Sequence, residues 1–548
     1  MTRLHNPVLR GFAPDPSMVR VDDWYYLATS SFEWFPTIPV HRSRDLAHWE
    51  YAGHVEGAVP GGSLAGVPDS GGVWAPSLSW DGERFWVTYS IVRSVGTPYF
   101  DVDTYVSTAT EAGGKWTAPR RIASHGFDPA LFHDEGRLWL LNLQNDHRPE
   151  GRRFAGIVMT ELDRETLSPV GETRLLLQHE RLVEGPKLVR RNGWYYLVLA
   201  EGGTGFEHGV LVARSRELTG PYELDDRPLL TSRDDPSLPL QKAGHGELVQ
   251  LPDGNWVLSH LAARPLATPN GPRCPLGRET AIQTVTWDAE GWPRMRHGGS
   301  HPAVEVDVPT PSARAEPEVP TPSARPGRDA ATSPTPPDPH PTAPLAWPWS
   351  TLRGAPDPSW VDTAAEPGRI RLRGRHGPES RWAHSLLAQR ITEHRAEAEV
   401  TVEACPRTFT QAAGLVLWYG TEAYLALDLT WAEPEGEEQR GQQWREAGRT
   451  VLRLVEREEF GTRTAAVVDV DAGGPLTLGV TVDGAEARFW YVRDGARTLV
   501  GPALDFSRLS DDYGSRLRFT GAMAGIHAVD LVDAAFTADF MGFRLTCG

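Results

Sequence analysis

The chain has 548 residues, 40% of them hydrophobic and 23% charged, and a formal net charge of −17. That length exceeds one ordinary core and predicts two domains of a soluble, globular kind. The acidic balance argues against nucleic acid and against an anionic membrane surface as partners, because both would repel it.

At the N-terminus, MTRLHNPVLRGF has no apolar leader-like run, and no long apolar stretch follows anywhere. The three cysteines, Cys274, Cys405 and Cys547, are odd in number and far apart. They offer neither a disulfide framework nor metal-type spacing, which suits a reducing compartment, and the expected location is cytoplasmic. No phosphate loop or dinucleotide fingerprint occurs in a strand–helix context. Twenty tryptophans are present; many belong in cores, but flat aromatic faces are also what sugar rings pack against.

Across the first 300 residues, five stretches share one shape: a small motif with Pro or Gly, a strand-like start, a turn, then an aromatic-rich strand. They are DPSMVRVDDWYYLA from Asp15, WAPSLSWDGERFWV from Trp74, DPALFHDEGRLWLL from Asp128, EGPKLVRRNGWYYLV from Glu184 and HGELVQLPDGNWVL from His245. Eleven positions after each first residue stands an aromatic: Tyr26, Phe85, Trp139, Tyr195 and Trp256. Turn pairs such as Asp81-Gly82, Asn192-Gly193 and Asp253-Gly254 separate the two runs, as hairpins require. The starts recur every 54 to 61 residues with almost no helical periodicity. This predicts a five-bladed β-propeller over residues 1–307, with the first strand of each blade lining the axis; a β-sandwich whose segments are similar by accident is the alternative. The shared first positions then converge at one end of that axis, bringing three carboxylates, an indole and an imidazole into one funnel. Buried acids cost several kcal/mol unless paired, roughly 2–7 for a lone polar group, so such convergence implies a task.

From 308 to 344 the composition turns to Pro, Ala, Ser, Thr and charge, and VPTPSAR occurs twice. An extended linker is expected there. Over 345–548 the pattern is β again. RIRLRG, AEAEVTVEA, AGLVLWYG, AYLALDLTW, TVLRLVER, AAVVDVD, LTLGVTVDG and ARFWYVRDG alternate apolar and polar residues between turns. Two stacked antiparallel sheets are the natural assembly, a jelly-roll or concanavalin-like β-sandwich. The fold class expected for the chain is therefore all-β.

Two carboxylates across a sugar can break a glycosidic bond, one protonating the leaving oxygen and the other activating water or attacking directly. The acid must hold its proton near neutral pH, and a neighbouring negative charge helps it do so. Asp15, Asp128 and Glu184 supply both jobs and the neighbour, without the sequence saying which is which.

The N-terminal half resembles glycoside hydrolase family 43 in NPVLRGFAPDPS, TSSFEWFPTIPVHRSRDLAHW, GGVWAPSL, FDPALF, VEGPKL, AEGGTGFEH, GHGEL and CPLGRETAIQ. WSTLRGAPDPSW, AAGLVLWYG and FTGAMAGI extend the resemblance to the two-domain β-xylosidase type. It implies that Asp15 is the general base, Glu184 the general acid, and Asp128 the residue that orients the acid and raises its pKa. It also implies an inverting mechanism, with base and acid roughly 6.5–9.5 Å apart to admit a water. By the same resemblance Arg278 lies against sugar hydroxyls and the carboxylates. Phe32 and Trp74 wall the first sugar subsite, Thr204 stands near it, and Phe519 reaches over from the second domain to close the pocket. His245 would sit on the axis, where some relatives hold a divalent cation, often calcium, largely through waters; a lone histidine is a poor calcium site, since calcium prefers oxygen. No other cofactor is required.

Two departures stand out. Asn145 precedes Asp146-His147-Arg148 where a tryptophan is common, so an aromatic platform is missing or supplied elsewhere. Lys187 follows Glu184-Gly185-Pro186 where histidine is frequent, and an inward amine would favour an ionised acid. The implied reaction is removal of terminal β-1,4-linked xylose from xylo-oligosaccharides. The rival readings are α-L-arabinofuranosidase activity on an arabinose-substituted glycan, alone or alongside, and a non-catalytic carbohydrate-binding propeller. Analogy with such relatives leaves room for a homo-oligomer.

Overall fold

Each of the five repeated stretches folds as an antiparallel blade whose first strand is innermost. The inner strands are Ser17–Val21, Gly72–Trp80, Gly126–Asp134, Val183–Arg191 and Gln241–Gln250. The structure, a computed structural model, describes residues 2–94, 96–309, 345–364, 366–433, 448–471, 474–516 and 518–548. Apart from Val308 and Pro309, the expected linker lies outside the described residues. Val308 is the last residue of a strand, Glu305–Val308, which pairs with Thr2–His5 and fastens the two ends of the propeller together. Among the described residues there is no α-helix.

The repeated aromatics begin or closely follow the start of the second strand of each blade and pack between blades. Tyr26 meets Phe85 edge-on at 4.9 Å, and Tyr195 meets Phe132 at 6.2 Å. Apolar side chains of adjacent blades form continuous cores, such as Val40, Val73, Val87 and Tyr89 between the first two.

The sandwich consists of two large antiparallel sheets. In Arg395–Ala404, the AEAEVTVEA strand, Ala396, Ala398, Val400, Val402 and Ala404 are buried and every other residue faces outward, as the alternation requires. One sheet does not end within its own domain. Its edge strand Ser350–Leu352 pairs with Trp34–Phe35 from the first blade, in register Thr351↔Phe35 and Leu352↔Trp34. The propeller thus donates the last strand of the sandwich and covers an edge that would otherwise be unpaired. Next to this seam Arg353 is buried; its Nε donates to Val67 O at 2.8 Å and its Nη2 to Asp69 at 2.6 Å. Phe12, Phe32, Trp34, Leu352, Trp418 and Met523 form one apolar cluster from both domains.

Candidate active site

Four of the five inner strands carry a register shift at the repeated motif: between Trp74 and Ser77, Phe127 and Ala130, Glu184 and Lys187, and Gly244 and Glu247. In three of these a proline follows within two residues (Pro76, Pro129, Pro186), and in the first blade Pro16 precedes the strand. Proline has no N–H to give the ladder, so pairing lapses there and the strand bulges. The bulge turns a side chain that would lie in the sheet toward the axis. Asp15, Asp128 and His245 have left-handed φ of 53°, 52° and 48° at these points, a conformation that for such residues persists only where surrounding structure holds it. Gly185 is also left-handed, at 56°, and a Cβ there would come within 3.0 Å of the His245 ring.

The pocket so formed is small, about 60 Å³. Asp15, Asp128, Glu184, Phe32, Trp74 and Thr204 line it, together with His245, Arg278 and Phe519, so every site residue expected from sequence is brought to one place.

Asp15 is fixed from several sides. Arg278 Nη1 donates to its Oδ1 at 2.8 Å, the Ser30 hydroxyl donates to its Oδ2 at 2.6 Å, and His245 Nδ1 lies 3.8 Å from Oδ1. Burial pushes this carboxyl up, but Arg278, His245 and Ser30 together outweigh it and hold it below its ordinary value. Glu184 goes the other way. Burial, and then the negative charge of Asp15, push it up to about 7 against the opposing pull of Arg278. Asp128 is raised by burial, then by Glu184 and Asp15. Its Oδ2 accepts the Gly185 N–H at 3.1 Å, tethering the backbone beside Glu184. Asp15 is thus held toward its ionised form while Glu184 and Asp128 are both pushed toward their protonated forms, and the charge that raises Glu184 is that of Asp15.

Arg278 ties the pocket together. Its Nη1 also donates to Thr204 Oγ1 at 2.8 Å and its Nη2 to the Phe519 carbonyl at 3.0 Å. The Phe519 N–H in turn donates to Ser70 Oγ at 2.9 Å, and the Trp74 indole donates to Ser70 O at 2.9 Å. Phe32, Trp74 and Phe519 form an aromatic wall with centroids 5.5–6.2 Å apart. Leu276-Gly277-Arg278 passes so close to the sandwich that a Cβ on Gly277, whose φ is 76°, would meet Thr520 O at 2.4 Å. Only glycine permits that approach.

Three lining residues, Ala75, Phe127 and His208, escape the sequence reading. Phe127 meets Trp74 edge-on at 5.5 Å. His208, fully buried, hydrogen-bonds through Nδ1 to the Glu201 carbonyl at 3.0 Å. A carbonyl only accepts, so the proton is on Nδ1, and Nε2 carries a lone pair with no protein partner. Burial pushes this ring down to about 3, so it stays neutral. The signal in the sequence is that His208 closes the AEGGTGFEH stretch that also carries Thr204.

Lys187 does not lie against the acid. Its Nζ donates to Ser17 Oγ at 3.2 Å and pairs with Glu247 at 3.6 Å on the axis. Its charge acts on Asp128 and His245, pulling both down. His245 is pushed to about 4 by burial and is neutral. With the cations of Lys187 and Arg278 both acting on it and Asp15 already paired, its surroundings do not fit a divalent cation. Among the described residues no three His, Cys, Asp or Glu side chains are grouped to hold a metal ion. Asn145 is not in the pocket; its Nδ2 donates to Pro98 O at 3.2 Å. In that loop Tyr99, 72% exposed, stacks on His147 at 4.2 Å, and Phe100 meets Trp74 at 5.8 Å.

Residues 4–293 match the family model described as glycosyl hydrolases family 43, and residues 340–546 match that of the β-xylosidase C-terminal concanavalin A-like domain. Xylosidase/arabinosidase 43B of Humicola insolens is 38% identical, over 98% of this chain and 97% of its own length. Xylan 1,3-β-xylosidase of a Vibrio species is 36% identical over 99% of each. The crystal structure of xylan β-1,4-xylosidase from Bacillus halodurans C-125 superposes with a TM-score of 0.87 at 37% identity, covering 99% of this chain and 100% of that one.

Proposed function

The chain belongs to glycosyl hydrolase family 43, and from that premise we propose that it is an inverting exo-β-xylosidase releasing terminal β-1,4-linked xylose from short xylo-oligosaccharides. The observation that carries this is the opposed ionisation of Asp15 and Glu184 in one small pocket. Glu184, protonated up to about pH 7, gives its proton to the glycosidic oxygen as that bond breaks. Asp15, ionised and immobilised by Arg278 and Ser30, takes a proton from a water that attacks the anomeric carbon from the opposite face. Asp128 holds the acid's strand through the Gly185 amide. The stiff Pro14-Asp15-Pro16 backbone suits a base that must not drift.

A pocket of this size, walled by Phe32, Trp74 and Phe519, takes the last residue of a chain rather than its middle. The substrate is supported by full-length relatives named for xylosidase activity. One of them is named for arabinosidase activity as well, which keeps arabinofuranosides as a second substrate class. The three free cysteines support a reducing, cytoplasmic location.

The test is turnover of nitrophenyl β-D-xylopyranoside and nitrophenyl α-L-arabinofuranoside side by side, with Asp15→Ala as the blank. Proton NMR of the first-formed sugar accompanies it. Preference for the xyloside with α-xylose appearing first is the expected result. Preference for the arabinofuranoside would overturn the substrate, and β-xylose appearing first would overturn the inverting mechanism.

A further inference from the structure

Behind the wall that closes the active pocket lies a second, larger cavity of about 570 Å³ between the two domains, a size suited to a small-molecule ligand. The two cavities share that wall: Asp69 and Arg518 face the larger one, while their neighbours Ser70 and Phe519 are joined by the 2.9 Å hydrogen bond that shapes the smaller. Its lining carries four arginines, Arg93, Arg381, Arg516 and Arg518, against two carboxylates, in a protein whose net charge is −17.

Most of these charges are already matched. Asp69 is paired with Arg353 and accepts from the backbone and hydroxyl of Thr421, both at 2.7 Å. Glu422 pairs with Arg516 at 2.9 Å, and Arg93 with Asp103 at 2.8 Å. Arg381 and Arg518 form no salt bridge among the described residues, although the charge of Arg518 is felt by the Glu459 carboxyl, which it helps to pull down. Arg518 is only 7% exposed, and both of its terminal nitrogens lack any hydrogen-bond partner. Its guanidinium lies 5.8 Å from the ring of Tyr419, which is itself buried. A buried guanidinium with its fork unfilled is costly to the fold unless something accepts from it. The geometry that fits a planar fork is a carboxylate, held by two parallel hydrogen bonds.

Next to the lining residues Arg381 and Gly66, Trp382 is 67% exposed, and the edge of its ring lies so near that a Cβ on Gly66 would touch it at 3.2 Å. An open indole beside a cationic cavity is a platform for a ring that is apolar on one face. We propose that this cavity is a binding site for a carboxylated sugar, a hexuronate, with Arg518 and Arg381 taking the carboxylate and Trp382 or Tyr419 packing against the ring. The xylosidase reading bears only on where such a sugar comes from, the acidic branch of a xylan-derived oligosaccharide. The cavity and its unfilled arginine stand without it.

Calorimetric titration of the full chain with methyl β-D-glucuronide tests this, in parallel with methyl β-D-glucoside and sulfate. The uronide should bind one to one, with the glucoside and sulfate each at least tenfold weaker. Saturating xylose should not displace it. Arg381→Gln and Trp382→Ala should each weaken it at least tenfold, as should Arg518→Gln where that variant melts like the parent. No binding of the uronide, equal binding of sulfate, displacement by xylose, or undiminished binding in Arg381→Gln would each overturn the proposal. Binding is read without turnover, so an enzyme inactive on xylosides could still bind the uronide, and an active xylosidase could fail to.

Discussion

Arg278 holds Asp15 at 2.8 Å with one nitrogen and the carbonyl of Phe519 at 3.0 Å with another. Asp15 of the propeller and the closing loop of the sandwich are therefore held by the same side chain. A lysine would keep the charge but not the fork. Arg278→Lys should lower kcat/KM about 100-fold, and Arg278→Gln about 1000-fold, in the range seen when one preorganised charge is lost from a site. Without the guanidinium the ionised form of Asp15 loses its strongest support, so the acid limb of the pH–rate profile should move to higher pH. A uniform fall in rate with the limb unmoved would mean that Arg278 only binds substrate.

The pH dependence follows from the opposed carboxyls. Asp15 must be ionised and lies below its ordinary value, so the acid limb belongs below the usual carboxylate range. Glu184 must be protonated and is raised to about 7, so kcat/KM should fall about tenfold per unit as pH rises past that point. Because Asp15's charge helps raise Glu184, Asp15→Asn should lower the Glu184 midpoint. That variant is inactive under the proposal, so the midpoint is read by carbon-13 NMR of labelled glutamate. A Glu184 midpoint in the parent near the ordinary glutamate value would remove it as the acid.

Much of this site was legible because proline writes the bulges into the sequence. Pro16, Pro76, Pro129 and Pro186 each mark a place where a ladder donor is missing, and the residue one or two positions before turns to the axis. The aromatics eleven positions on are legible for a similar reason: hairpin geometry fixes that spacing. His208 was not, since its role depends on the Glu201 carbonyl fixing its tautomer, and nothing local announces that. Nor could Trp34–Phe35 be read as the outer strand of a sheet whose other members begin more than 300 residues later. The outcome for Lys187 turned on direction: its amine runs along the axis to Ser17 and Glu247, and sequence gives spacing without orientation.

That position of Lys187 bears on metals. Burial lowers the Lys187 amine while Glu247 and Asp128 support its charge, and that charge acts on both Asp128 and His245 on the axis. Dialysis against a chelator, and then addition of calcium, should each leave kcat/KM within about twofold; a cation attracted to this site would have to overcome that repulsion. Lys187→Met should leave Glu247 without its buried partner and destabilise the fold by about 3 kcal/mol, read by denaturant unfolding. Marked activation of the parent by calcium would show that the axis accepts a cation despite the lysine.

Separating the domains tests whether the sandwich is part of the catalytic unit. Residues 2–309 alone would keep all three carboxylates but lose the Phe519 carbonyl on Arg278 and the aromatic wall of which Phe519 is a part. They would also expose Trp34–Phe35 as an unpaired edge, and Phe12 and Phe32 would lose their neighbours Leu352, Trp418 and Met523. An uncovered strand next to an apolar face invites association. The isolated propeller should therefore aggregate or, where soluble, bind a hydrophobic dye and turn over xyloside at least 100-fold more slowly. Coexpression with residues 345–548 should recover the rate, because the seam is a strand pairing that two separate chains can form. In the intact chain Phe519→Ala removes the ring but leaves the carbonyl on Arg278, so it should raise KM more than it lowers kcat. A soluble propeller with full kcat would show that Arg278 positions Asp15 without the sandwich.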